Sequence, residues 1–297
     1  MSTSGDASEP HPEPDFDAYT LVDESTLRPF LIDLLQAHSL FEYDAETVVD
    51  AALFVRGESG VPSDVTRIPE WIRQIADGQI DPRGQPLVLA SMPAMLTLDG
   101  SGACGPVAAK KGIDWAIDQA AEVGLAAAVV KNGRELGWPL WAVGRLAKAG
   151  LVGLCVTNVY AADLDEASSL VGLAIPQPDA APRYFGTFET VSEASQTELA
   201  REDQQMFQEA IPILTTLLAG GRDPEHKYDA PNPAQAEHLI VAIDPNHGLG
   251  IDAIKRCLDR EFPGDADEDR PQIALPDHTR EQLITLAADR DLSHPFG

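Results

Sequence analysis

Two short segments of the chain carry acidic and basic side chains that could act on a small carboxylate. The first, residues 62–69, reads PSDVTRIP and places Asp64 three positions before Arg67. The second, residues 132–137, reads NGRELG and contains Glu135. A guanidinium group suits the binding of a carboxylate, whereas a carboxyl group transfers a proton well only when its pKa lies near the working pH. An exposed Asp64 would be ionised at neutral pH, so it could donate a proton only if burial raised its pKa.

The elements that must hold these segments alternate between helix and strand. Candidate helix signals include Ser25 and Asp44 as N-caps and Gly78 and Gly124 as helix ends. Apolar spacing predicts helices at 25–39, 44–57, 69–77, 106–123, 140–149, 198–219, 250–261 and 279–290, and apolar runs predict strands at 95–99, 125–131, 151–158, 169–176 and 238–245. Polar or proline-rich residues predict loops at 177–187, 221–237 and 263–272. Such alternation indicates a mixed α/β fold with helices around one sheet.

The composition is strongly acidic and excludes some classes of partner. The net charge is −27, from 48 acidic and 21 basic residues, and only six of the basic residues are lysines. Nucleic-acid binding is disfavoured because phosphate contacts require clustered Lys and Arg. Two interpretations of the charge stay open: a surface suited to a high-salt cytosol, or an acidic protein of ordinary bacterial type. Unfolding in low salt but not in molar salt would separate them.

Targeting and metal signals are not found in the sequence. No run of about 18 apolar residues predicts a membrane span, and the polar, acidic N-terminus predicts neither a signal nor a transit peptide. Cys104, Cys155 and Cys257 are far apart and odd in number, which indicates free thiols in a reducing cytosol and no metal site. A cytoplasmic location without membrane contact is therefore expected.

Several blocks of the sequence resemble the malate/L-lactate dehydrogenase family, whose NAD(P)-dependent members reduce 2-oxo acids or cyclic imines on a fold unrelated to the Rossmann fold. The blocks are FVRGESGVPSDVTRIPEWIRQIADGQI at 54–80, the Leu98-Asp99-Gly100 turn with Gly105 and the helix after it, AVGRLAKAGLVGLCVTN ending at Asn158, IVAIDP at 240–245, and 275–292. The resemblance covers roughly 25–176 well and 198–292 loosely. Residues 100–105 read GSGACG and match the pattern GxGxxG. The resemblance indicates that this match is a turn of the family and not a dinucleotide-binding fingerprint.

The resemblance implies an α/β fold with a central mixed sheet and flanking helices. The Pro and acidic content of residues 1–24 predicts a disordered tail. The rest of the chain is expected to form a helical N-/C-terminal domain from 25–90 and 239–297 and a central sheet-containing domain at 91–238. The resemblance also implies a homodimer, because members of the family form dimers with the active site at the subunit interface.

The reactive positions depart from the family at four places. The family carries Ser-His-Gly in its opening loop, where its His is the general acid/base; this chain has Ser63-Asp64. It carries Asn-Ser-x-His-Phe-Gly where this chain has 132–137, so a His becomes Glu135. The Gly-Thr-Asn-Pro element that follows Asn158 in the family is replaced by a segment with three acids, and Asp203 stands near the family's Gly-Gly-x-Lys-Gly lysine. The three acids are Asp163, Asp165 and Glu166.

From these departures we expect a changed site for a small carboxylate-containing molecule. The expected catalytic residues are Asp64, Glu135 and Ser63, and the expected substrate-binding residues are Arg67, Asn132, Asn158 and Trp138. The four departures together favour loss of ordinary hydride transfer, giving a cyclase- or lyase-type catalyst or a silent homologue that needs no cofactor. Two alternatives stay open: an NAD(P)H-dependent reductase of a 2-oxo or cyclic imino acid with a relocated proton donor, and a structural or regulatory partner of an active homologue.

Overall fold

The computed structural model describes residues 19–54, 64–160, 167–177, 180–186, 235–248, 250 and 272–296. The helices are α1 (Glu24–Ala37), α2 (Glu42–Ala52), α3 (Ile68–Ala76), α4 (Gly105–Val123), α5 (Pro139–Lys148) and α6 (Asp277–Ala288). The strands are β1 (Tyr19–Asp23), β2 (Leu87–Met92), β3 (Met95–Asp99), β4 (Leu125–Gly133), β5 (Val152–Tyr160), β6 (Ala167–Gln177), β7 (Ala180–Gly186), β8 (Gln235–Ile243) and β9 (Gln272–Pro276). Short 3-10 turns occupy Asp64–Arg67 and Pro245–His247.

A seven-stranded mixed sheet forms the centre of the fold, in the order β2-β3-β4-β8-β5-β6-β7. Strands β3 and β4 are parallel, and the other described pairs in this sheet are antiparallel. Helix α4 packs closely on the sheet because Gly112 presents no side chain: a Cβ there would lie 3.2 Å from the Cβ of Ala128. Gly124 ends α4 in the left-handed conformation at φ +87°, so β4 begins directly after it.

A second apolar core joins the two ends of the chain. Strand β1 pairs antiparallel with β9, with Tyr19 opposite Pro276. Helices α1, α2, α3 and α6 pack around this pair, and their fully buried side chains include Leu27, Leu31 and Trp71. The predicted domain division remains a prediction; β1 begins within its 1–24 segment and β8 continues across its boundary at residue 239.

The mixed α/β class is confirmed, and most helices and strands lie within two or three residues of their predicted limits. Two predicted N-caps are wrong, because α1 begins at Glu24 before Ser25 and α2 begins at Glu42 before Asp44. The loop predicted at 177–187 is also wrong, since strand β7 occupies most of it. Strands β1, β2 and β9 were not predicted. The helices predicted at 198–219 and 250–261 lie outside the described residues, apart from Gly250.

None of the helices in the described part of the chain combines the length and the apolarity that crossing a bilayer requires.

Candidate active site

A buried ion pair stands where the 3-10 turn Asp64–Arg67 leads into α3. Residues three apart lie on the same side of a 3-10 turn, and Arg67 Nε donates to Asp64 Oδ1 at 2.7 Å. The other carboxylate oxygen, Oδ2, accepts a hydrogen bond from the backbone N–H of Trp138 at 2.5 Å. Asp64 is only 7% exposed. The sequence-predicted residues Asp64 and Arg67 are therefore in direct contact, and the segment after Glu135 helps to hold them.

Glu135 completes a network of three charges. Its Oε1 accepts from Arg67 Nη1, so one guanidinium group contacts two carboxylates. Burial raises the pKa of the Asp64 carboxyl above its ordinary value, and the opposing effects of Arg67 and the Trp138 N–H do not cancel this shift. Burial lowers the pKa of the Arg67 guanidinium, but the charges of Glu135 and Asp64 outweigh it and the net shift is upward. Arg67 stays charged, while Asp64 is the carboxyl that burial favours in its protonated form.

Glycines allow the backbone of 132–138 to approach this network. Gly137 has φ +84°, and a Cβ on it would lie 2.7 Å from Asp64 Oδ2. A Cβ on Gly105 would lie 2.1 Å from the carbonyl oxygen of Glu135, and one on Gly100 would lie 2.7 Å from the Cα of Gly133. Two glycines of the GxGxxG match, Gly100 and Gly105, thus allow close packing against the segment that carries Glu135.

The structure gives Asn132 an internal partner. Asn132 has φ +51°, which Asn tolerates better than most residues. Its Nδ2 donates to Asp99 Oδ2 at 2.8 Å, and Asp99 Oδ1 accepts from the backbone N–H of Ser101, also at 2.8 Å. Asn132 therefore ties the end of β4 to the turn after β3, and its predicted contact with substrate stays a prediction.

The remaining predicted site residues are placed less directly. Trp138 is half-buried and packs against the core beneath the sheet, while its backbone holds Asp64. Asn158 is fully buried on β5, where its neighbours across the strands are Glu237 of β8 and Ser169 of β6. Ser63 lies outside the described residues. The acids that follow Asn158 also lie outside the described residues, as does the acid near the family's lysine position. These residues are Asp163, Asp165, Glu166 and Asp203.

A buried histidine next to the site was not predicted as a functional residue. His238 on β8 is fully buried; its Nδ1 lies 2.8 Å from Thr157 Oγ1 and its Nε2 lies 3.0 Å from the carbonyl oxygen of Arg134. A carbonyl only accepts, so Nε2 carries the hydrogen and Nδ1 accepts from the Thr157 hydroxyl. Burial lowers the pKa of His238 to about 4. The ring is a neutral support for the backbone beside Glu135 and not a proton donor at neutral pH.

The fold is that of a group of solved dehydrogenases. It superposes on malate dehydrogenase from Entamoeba histolytica with a TM-score of 0.74 and 18% identity, covering 94% of this chain and 100% of that one. Malate dehydrogenase from Pyrococcus horikoshii OT3 gives a TM-score of 0.75 at 17% identity, covering 93% and 97%. Δ1-piperideine-2-carboxylate reductase from Pseudomonas syringae pvar. tomato gives 0.63 at 17% identity, covering 90% and 100%. At such identities the likeness establishes the fold.

Comparison of the sequence shows which protein family the chain resembles. Residues 22–164 match the model of the family described as malate/L-lactate dehydrogenase, which confirms the resemblance seen in the motifs. The same region is similar to 2,3-diketo-L-gulonate reductase from Escherichia coli, with 35% identity over 127 residues. That match covers 40% of this chain and 36% of the relative. The relative's activity therefore reaches this chain only as a proposal.

The expectation that the chain needs no cofactor is wrong. Members of the matched family are NAD(P)-dependent dehydrogenases, and both the family match and the reductase relative argue against a cofactor-free protein. The prediction rested on four lost motifs. Two of them, after Asn158 and near Asp203, fall outside the described residues, and the other two concern proton transfer and substrate contact rather than the nucleotide.

Proposed function

We propose that this protein is an NAD(P)H-dependent reductase of a small 2-oxo or cyclic imino carboxylate, with Asp64 as the relocated proton donor. The observation that carries the proposal is the burial of Asp64, which raises its pKa in the direction that a carboxyl donor requires. The matched family and the similar reductases support the reaction class. The substrate class rests on Arg67, whose guanidinium suits a carboxylate.

The described residues fit the proton-transfer half of such a reaction. NAD(P)H, when bound, would supply the hydride to the carbonyl or imine carbon. Asp64 would hold the proton, and Arg67 would hold the substrate carboxylate. The segments at 161–166 and 201–205, where the resemblance puts nucleotide contacts, are outside the described part of the chain.

Substrate binding requires an exchange of carboxylates on Arg67. Glu135 occupies Nη1 of Arg67 and keeps a side chain that is 23% exposed, whereas Asp64 is held by Arg67 Nε and by the Trp138 N–H. Glu135 is therefore the partner that a substrate carboxylate displaces. In the state in which Asp64 carries the proton to be transferred, Arg67 and one carboxylate balance in charge, both before and after the exchange. The Asp64 proton moves to the carbonyl oxygen or imine nitrogen as that group gains electron density, and Asp64 then regains a proton from solvent.

The first experiment tests cofactor binding and turnover. Calorimetric titration with NADH and NADPH is followed by steady-state rates on a panel of 2-oxo acids and cyclic imino acids. We expect one cofactor to bind and at least one substrate to be reduced, with a rate that falls as rising pH removes the Asp64 proton. Failure of both cofactors to bind at millimolar concentration rules the proposal out.

The second experiment tests the donor. Asp64→Asn keeps the shape of the side chain and its acceptor for the Trp138 N–H but removes the transferable proton. We expect kcat to fall roughly 100- to 10,000-fold, with cofactor affinity unchanged. Glu70→Gln, a carboxylate paired to Arg73 on the exposed face of α3, serves as the matched control and should keep full activity. An unchanged kcat in Asp64→Asn would remove Asp64 from the mechanism.

A second candidate function is a catalytically silent homologue that binds the nucleotide without turning over. The pairing of Arg67 with two carboxylates favours it, because a substrate must compete with a tethered group. The two candidates differ in the effect of Glu135→Gln. In a reductase this variant frees Arg67 and lowers KM for the carboxylate substrate; in a silent homologue the cofactor binds and no substrate is turned over by either form.

We further propose that the protein is a cytoplasmic homodimer. The buried thiols of Cys104 and Cys155 support a reducing compartment. Support for a dimer comes from β2, which stands at one end of the seven-stranded sheet with every residue exposed. Its large exposed apolar side chains are Leu87, Val88, Leu89 and Met92. Exposed apolar edge strands pair readily with other chains.

Sedimentation equilibrium tests the dimer proposal. We expect the wild-type chain to sediment as a dimer and Val88→Lys to shift it towards monomer. The control is Leu21→Lys on β1, also an exposed apolar residue on a strand, which should leave the dimer intact. A wild-type monomer, or a dimer that Val88→Lys does not weaken, counts against β2 as the interface.

A further inference from the structure

A cleft whose lining does not include the Asp64 network lies between α2, α4 and the chain at 85–86. Its volume is about 260 Å³, and both polar and apolar side chains line it. Pockets for drug-sized ligands begin at roughly 300 Å³, so this cleft has room for a small metabolite. The lining residues are Tyr43, Asp44, Thr47, Gln85, Pro86, Val107, Lys110, Lys111 and Asp114.

Two adjacent lysines supply the positive side of the cleft. They are two of only six lysines in the chain. Lys111 Nζ donates to the carbonyl oxygen of Pro86 at 2.6 Å, and Lys110 Nζ pairs with Asp114 Oδ2 and lies 4.9 Å from the centre of the Tyr43 ring. An ammonium group has three donors, so each lysine has donors left for a ligand.

Asp44 supplies the negative side. Asp44 is 5% exposed, and its Oδ2 accepts a hydrogen bond from Gln85 Nε2 at 3.1 Å. Its other carboxylate oxygen accepts no hydrogen bond from any residue that the structure describes. Burial raises the pKa of Asp44, and both Gln85 and the charge of Lys110 oppose that shift. The second carboxylate oxygen of Asp44 can therefore accept a hydrogen bond from a ligand in the cleft.

The charges of the cleft decide between classes of ligand. The lining carries both signs of charge, with Lys110 and Lys111 on one hand and Asp44 and Asp114 on the other. Asp114 is already paired with Lys110 and with Arg145, so Asp44 is the lining carboxylate left to meet a cationic group. A ligand with only a negative charge would be repelled by Asp44, and a ligand with only a positive charge would be repelled by the two lysines. A zwitterion brings no net charge and can meet both sides at once.

We propose that this cleft binds a small zwitterion of the α-amino acid class. The ammonium group of the ligand donates to Asp44, and its carboxylate accepts from Lys110 and Lys111. Val107 and Pro86 give the ligand side chain an apolar wall. The site is separate from the Asp64 network, and its occupation does not depend on whether the protein is a reductase.

Calorimetric titration of the full chain at constant ionic strength tests the proposal. The probes are L-valine as the zwitterion, isobutyrate as the matched anion and isobutylamine as the matched cation. We expect L-valine to bind in the high-micromolar to millimolar range and the two single-charge probes to bind at least about ten-fold more weakly. No heat from L-valine up to about 20 mM overturns the proposal, and equal binding of isobutyrate overturns the zwitterion assignment.

Variants locate the site. Asp44→Asn should weaken L-valine at least about ten-fold, because a hydrogen bond to a charged group is lost. Lys111→Gln changes an exposed side chain, and it should weaken L-valine several-fold, which keeps the test valid if Asp44→Asn fails to fold. Lys148→Gln, an exposed lysine at the end of α5, is the control and should leave the affinity unchanged. Binding that neither cleft variant weakens places the ligand elsewhere and refutes the proposal.

Discussion

The Asp64–Arg67–Glu135 network predicts a strong non-additivity between two conservative substitutions. Asp64→Asn and Glu135→Gln each remove one of the two carboxylates that Arg67 contacts. After either single change, one carboxylate still balances the guanidinium, and the repulsion between the two acids disappears. The double variant leaves Arg67 without a carboxylate partner among the described residues.

The magnitudes follow from burial. The Arg67 side chain is 28% exposed, and Asp64 beneath it is 6% exposed. Each single variant loses one charged hydrogen bond and gains relief from repulsion, so we expect a loss of about 1 kcal/mol in unfolding free energy. An uncompensated buried charge costs about 3–5 kcal/mol, and the partial exposure of Arg67 puts the double variant at the lower end of this range. The coupling between the two sites is then about 1 kcal/mol or more.

Urea unfolding followed by circular dichroism measures the four proteins of this cycle. A matched control cycle lies on α3, where Arg73 contacts Glu70 at 2.6 Å and Asp77 at 3.7 Å. That network has the same one-cation, two-carboxylate composition but is exposed, so Glu70→Gln and Asp77→Asn should add without measurable coupling. Additive effects of Asp64→Asn and Glu135→Gln would refute the account of Arg67 as a cation whose charge needs at least one of these carboxylates.

Three further predictions concern stability. Placing a residue other than glycine in the left-handed conformation costs about 1–2 kcal/mol. Gly137→Ala should lower the unfolding free energy by more than this, because its Cβ also meets the Asp64 carboxylate. Gly150→Ala, at φ +81° with open space around it, measures the backbone cost alone, and equal losses in the two variants would argue against crowding at Gly137. The pKa of His238 is about 4 in the folded chain, whereas an unfolded histidine takes up a proton from about pH 6.5 downward. The free energy of unfolding should therefore fall by about 3 kcal/mol in all between about pH 6.5 and pH 4. His238→Gln should flatten that part of the pH–stability curve, and an unchanged curve would contradict the prediction. The net charge of −27 predicts a melting temperature that rises with the concentration of KCl, because salt screens the repulsion between the acidic groups. Unfolding in dilute buffer would favour the interpretation of the surface as one suited to a high-salt cytosol. A melting temperature independent of salt would contradict the role given to this repulsion.

The sequence predicted local structure well wherever the signal was local. The helix ends at Gly78 and Gly124 were predicted because a left-handed residue favours glycine, and both have positive φ. Strand β7 was missed because Pro182 and its neighbours indicate a loop. The strand is the terminal strand of the sheet, where a proline that cannot donate a hydrogen bond is tolerated. Strand β2 was missed because its sequence, LVLASM, has no alternation of apolar and polar residues; all six residues are exposed in the folded chain.

For the candidate site, the sequence determined which residues are present and the tertiary structure decided what they can do. The residue types Asp64, Arg67 and Glu135, and the family that their surroundings indicate, could be read from the chain. Glu135 is 68 positions from Arg67, and no local pattern predicts that the two form an ion pair. The burial that raises the pKa of Asp64 likewise depends on packing by segments distant in sequence, including the backbone of Trp138. A carboxyl group becomes a proton donor or a plain anion according to its surroundings, and only the folded chain supplies those.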